Sequence, residues 1–151
     1  MKDWLNKYFS DDDLIEIKHS VAEAEKKTSG EIVVYFQQKR NWLERLYDHD
    51  ELTLKHFYRL GAHRTKDKTG VLVYILFNER YFNILADEGI HKKIPFEIWD
   101  RVENELKENF AKENYLAGVL SVIKDIEKVL KKEFPIADDD TDEISNEVRI
   151  S

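Results

Sequence analysis

At 151 residues, with 42% hydrophobic and 36% charged side chains, the chain has the length and apolar content of one globular domain rather than of a disordered segment. A formal net charge of -7 argues against nucleic acid or an anionic membrane as the main partner, and the absence of cysteine excludes disulfides, thiolate ligands and thiol nucleophiles. The amino terminus, MKDWLNKYFSDDD, has no apolar leader core, and no stretch approaches about 18 uninterrupted apolar residues. The expectation is a cytoplasmic protein without a transmembrane segment.

In chain order, Trp4, Leu5, Tyr8 and Phe9 form a short amphipathic lead-in that docks on a core. Ser10 caps a helix whose first turn, Asp11 to Asp13, suits the positive end of the helix dipole, and Leu14, Ile17, Val21, Ala24 and Thr28 mark its buried stripe. His19 lies off that stripe and reads as solvent-facing. EIVVYF, residues 31–36, is apolar on both faces and reads as a central strand. Residues 37–48 lose the pattern, a long loop or short irregular helix that Trp42, Leu43 and Leu46 would pin to the core. His49 to Leu60 resumes helical spacing and closes at Gly61. His49, His56 and His63 recur every seven residues, a helical rise of about 10.5 Å, too far for neighbours to share one ion. Lys55, Arg59, Arg64, Lys66 and Lys68 make 55–68 the most basic segment, a solvated connection that could also steer an anion.

Val71 to Phe77 is the strongest strand signal, and Tyr81 to Ala86 follows after Asn78-Glu79-Arg80, so the two pair as a hairpin. A turn centred on Glu79 and Arg80 sets Asp87 opposite Leu72 and Gly89 opposite Gly70. Asp87 and Glu88 then leave the sheet where Asp67 enters it, with Gly89 taking a positive φ in the acidic turn. Strand, helix and strand over 31–77 make a right-handed βαβ unit, which sends Glu31 to the same end. Converging carboxylates repel one another unless protons or a metal ion intervene, so Asp67, Asp87, Glu88 and Glu31 form the candidate metal site. Pro95 opens a helix with an apolar stripe through Ile98, Trp99, Val102, Leu106 and Phe110, with Trp99 in the core. Tyr115 to Leu130 makes another helix, stopped at Phe134-Pro135. The fold class is an αβα sandwich around a small mixed sheet, βαβ unit plus hairpin, spanning 1–135. An acidic tail, 136–151, lacks the glycine and terminal glutamate spacing of an EF-hand and reads as solubilising.

The segments TSGEIVVY (28–35), HFYRLG (56–61), KTGVLVYI with the hairpin to ADEGI (68–90), WDRVENELKENFAKENYLAGV (99–119) and the FP stop (134–135) together resemble the TPM domain family, which includes thylakoid-lumen phosphatase-like and photosystem II repair proteins. The resemblance implies an αβα sandwich, divalent cations, calcium or magnesium, held where loops cross at the sheet end, and acid phosphatase activity in some members. It carries Asp67, Asp87 and Glu88 onto acidic or turn positions of the family pattern, and Glu31 less regularly. Many relatives have a signal peptide and membrane anchor, and this chain resembles a soluble version, a monomer with an unidentified protein partner in stress response or repair. The functional expectation is a non-catalytic cation-binding module. The alternative is a metal-dependent phosphatase, for which no D-x-D loop, C-x5-R or Ser-His-Asp constellation can be assigned.

Overall fold

The computed structural model describes residues 2–136 and 148–151. A 3₁₀ turn, Asp3–Lys7, leads into α1 (Asp11–Glu25), β1 (Glu31–Gln37), α2 (His49–Arg59), β2 (Gly70–Leu76), β3 (Tyr81–Ala86), α3 (Glu88–His91), α4 (Phe96–Ala111), α5 (Tyr115–Glu133) and β4 (Arg149–Ile150). The sheet runs β3-β2-β1-β4, with β1 parallel to both β2 and β4, and β3 antiparallel to β2. Alternation along the strands divides the interior in two. Ile32, Val34, Phe36, Val71, Val73 and Ile75 face the large core under α1, α4 and α5, while Val33, Tyr35, Leu72, Tyr74 and Leu76 face a smaller core under α2 alone. This is the αβα sandwich the patterning implies, with unequal layers.

The capping is legible residue by residue. Ser10 and Asp13 form a reciprocal capping box at α1, and Asp48 caps α2 by accepting from the Glu51 amide. Leu5 and Phe9 are buried, so the lead-in docks, and Trp99 is buried in the core. Pro95 stands as the N-cap of α4 rather than inside its first turn.

The hairpin register differs from expectation by two residues. Val71 pairs with Ala86, which sets Asp87, not Gly89, opposite Gly70, and the Asp87 amide donates to the Gly70 carbonyl at 2.9 Å. Phe77 is the reason. It leaves the strand for a 3₁₀ turn, Phe77–Glu79, with Arg80 left-handed at φ 50°, and its ring packs against Trp4, Tyr8, Phe36 and Phe110. A slip of two preserves the buried faces, so the pattern alone does not detect it.

Two further expectations change, and one side chain stands out between them. Trp42 and Leu46 are each 73% exposed, so they do not pin the 38–48 loop; the bidentate Arg40–Glu79 pair and the Asn78 amide donating to the Gln38 carbonyl do. His56, for which the seven-residue spacing excludes only a shared ion, is 3% exposed, its ring edge-on to Tyr35 and Tyr74. The acidic run of the tail lies outside the described residues, and beyond it Arg149–Ile150 pairs with Tyr35 and Phe36 as the edge strand.

Candidate cation site at the amino end of the parallel strands

Three segments meet where β1 and β2 begin. The Glu31 amide donates to the Thr69 carbonyl at 3.1 Å, the Thr69 hydroxyl to the Ser29 carbonyl at 3.3 Å, and the Thr69 amide to Thr65 Oγ1 at 2.8 Å. The entry to β2 is therefore strapped to the entry to β1. At the exit from β3, Asp87 caps the four-residue α3, its Oδ1 accepting from the Glu88 amide at 2.8 Å. Gly89 sits in that turn without a positive φ, so the expected conformational role is replaced by a steric one. A Cβ there would lie 2.3 Å from the Asp67 carbonyl oxygen and 2.5 Å from that of Lys68. The two turns touch through this glycine, with Lys68 left-handed at φ 58°. Gly89→Ala is expected to cost about 1–2 kcal/mol, because the exposed 66–68 turn can partly yield, and to shift the amide resonances of both turns; urea unfolding with an amide NMR spectrum measures both.

Asp67, Asp87, Glu88 and Glu31 thus all lie at one end of the sheet, but they do not converge as one cage. Glu31 is 3% exposed beneath the strap, whereas Asp67 and Glu88 are exposed and Asp87 is half-buried. Glu88 pairs with Lys68, which holds its carboxyl below the usual range and raises the Lys68 ammonium in turn. Among the described residues no group of three or more His, Asp or Glu side chains is spaced to hold a metal ion. A calcium ion wants six to eight oxygens. The residues present do not form that shell as they stand.

The opposite sheet end holds the constellation that sequence reasoning missed. Tyr35 and Tyr74 are register partners and stack at 5.4 Å, and Tyr74 donates to Gln37 Oε1. Burial drives both phenols up from their ordinary value. Arg59 donates to His56 Nδ1 at 3.1 Å, which leaves the imidazole proton on Nε2, 3.3 Å from Glu44 Oε2. Burial first, and Arg59 second, lower His56 to about 4, against the opposing pull of Glu44. The sequence signal was a polar-tipped tyrosine inside each of two apolar runs, Tyr35 and Tyr74.

A layered α/β domain with acidic turns closing one end of a mixed sheet is the class that this geometry defines. The family model described as "TPM domain" matches residues 5–129, and the chain belongs to that family. Among solved structures, it is similar to the BA42 protein of the psychrophilic bacterium Bizionia argentinensis, with 28% identity over 95% of this chain and 96% of that one at a TM-score of 0.85. It also shares its fold with the N-terminal domain of a P. gingivalis protein, at 16% identity over 84% of this chain and 79% of that one, with a TM-score of 0.68. Comparison with curated protein sequences yields no match. No helix among the described residues is long and apolar enough to cross a membrane.

Proposed function

We propose that this TPM domain is a non-catalytic, cytoplasmic interaction module whose acidic turns take up a divalent cation, calcium or magnesium, from solvent. The observation that carries the reading is the contact at Gly89, which holds the Asp67–Lys68 carbonyls against the turn bearing Asp87 and Glu88. Two exposed or half-exposed carboxylates, those carbonyls and water supply hard oxygen donors; Glu88 joins only when Lys68 lets go, and buried Glu31 acts as support beneath. Such an open site is weak, and it ties two turns together for a protein partner. The phosphatase alternative ranks behind it, since Lys68, a cation beside these acids, is engaged by Glu88 and not free to hold a phosphoryl group.

Thermal melting tests the proposal. At a calcium concentration about a hundredfold above Kd, binding to the folded state alone adds about 2.7 kcal/mol, and the midpoint should rise by several degrees, reversibly with EDTA. Asp87→Asn should lose that rise, and Lys68→Ala, which frees Glu88, should enlarge it. Equal midpoints with calcium and EDTA would sink the cation site.

A further inference from the structure

We infer that the cleft at the carboxyl ends of β1 and β4, on the α2 side of the sheet, binds a small organic oxyanion, a carboxylate or phosphate group carried on an apolar body. It lies at the far end of β1 from the acidic turns, about 20 Å away at about 3.3 Å per strand residue. In open sheets with parallel strands, ligands sit in the crevice outside the strand carboxyl ends, and this cleft, about 570 Å³, occupies that position between β1, the 38–47 loop and α2.

Its charge runs opposite to that of the chain. Lys39, Arg40, Lys55 and Arg59 line it in a protein of net charge -7, and among the described residues that line it Glu44 is the only carboxylate side chain. Glu44 is consumed internally. One oxygen accepts from Gln37 Nε2 and from the Asn41 amide, both at 2.9 Å, and the other faces His56 Nε2. Arg40 is likewise committed, to Glu79 and the Tyr47 carbonyl. Lys55 and Arg59 instead rest on aromatic faces, Lys55 Nζ 4.4 Å from the Tyr47 centroid and the Arg59 guanidinium carbon 5.3 Å from that of Tyr35. Guanidinium and ammonium groups held by rings, not by carboxylates, keep donors for an incoming oxyanion; Arg59 spends one on His56 Nδ1 and keeps the others. The floor is built: Tyr35, Gln37 and His56 are buried, and Arg59 and Glu44 set the position of the His56 ring. Exposed Leu43 at the rim offers the apolar contact.

The test is an NMR titration of the labelled full chain with sodium phosphate and, separately, with benzoate. Saturable shifts of the Tyr35, His56 and Arg59 side-chain resonances are expected, with the amides around Asp87 unmoved. A bound anion also raises the His56 titration midpoint toward its ordinary value, against the fixed influences of burial, Arg59 and Glu44, with Tyr35 and Tyr74 edge-on to the ring. Lys55→Glu, an exposed substitution that leaves the fold intact, should weaken binding about tenfold or more, and Arg59→Lys should weaken it less than Arg59→Ala. Tighter binding of benzoate assigns a carboxylate ligand, and tighter binding of phosphate a phosphoryl one. Absence of saturable shifts at these three residues, or equal affinity in Lys55→Glu, overturns the inference.

Discussion

Gly70→Ala is expected to destabilise the domain by about 3 kcal/mol, a large share of the 5–15 kcal/mol typical of a natural domain. A Cβ at this position would stand 2.0 Å from the Ala62 carbonyl oxygen and 3.1 Å from its carbonyl carbon. Neither side can retreat. Gly70 pairs with Glu31 and accepts from the Asp87 amide, while Ala62 is fully buried and held by its own amide to the Phe57 carbonyl at 3.0 Å. The clash would push the α2–β2 connection off the sheet and disturb the acidic turns with it. Urea unfolding reads the effect as a lowered midpoint at unchanged slope. A loss below about 1 kcal/mol would show that the connection can move.

Acidification should unfold the protein in part through His56. Burial first, and Arg59 second, lower its folded-state midpoint to about 4 from the ordinary 6.5. Between these two values the unfolded chain binds a proton that the folded chain refuses, so stability rises with pH across that window and falls as pH drops through it. At 1.36 kcal/mol per unit, the loss between pH 6.5 and 4 is about 3 kcal/mol, with little further contribution below. Carboxyls held low, Glu79 by Arg40 foremost, add their own acid sensitivity nearer their midpoints, whereas burial raises Glu103 and works the other way. The comparison therefore needs a variant. His56→Gln should unfold with a visibly flatter dependence on pH from 6.5 to 4 than the parent, by about the stated amount, in urea titrations at matched pH. Parallel dependences would mean that the imidazole takes up its proton without leaving its pocket.

The layered fold was legible because its determinants are local. Ser10, Gly61 and the Phe134-Pro135 stop mark helix ends, and the apolar runs at 31–36 and 71–77 are long enough for strands and too short for helices. The hairpin register was not legible, because Phe77 trades its strand position for an aromatic cluster assembled from distant segments. The same division holds for the sites. Topology alone sends Asp67, Asp87 and Glu88 to one end, whereas the burial of Glu31 and the Lys68–Glu88 pair depend on how two turns pack. The His56 constellation was hidden for a further reason. Seven-residue spacing groups His56 with His49 and His63, yet its real neighbours, Tyr35, Tyr74 and Glu44, come from two strands and a loop.

The two-residue β4 has a kinetic corollary. It pairs with β1 across more than a hundred residues of chain, so it closes the largest loop in the topology and collects few hydrogen bonds for doing so. Assembly of β1, β2 and β3 does not require it, and docking of β4 is the natural last step. Until then the outer edge of β1, a run of seven buried-type residues, is an open template for a strand from another molecule. Arg149 and Ile150 act as a guard on that edge, and the Gln38 and Ser151 amides, which bond across it, should be among the earliest sheet-edge protons to exchange with solvent.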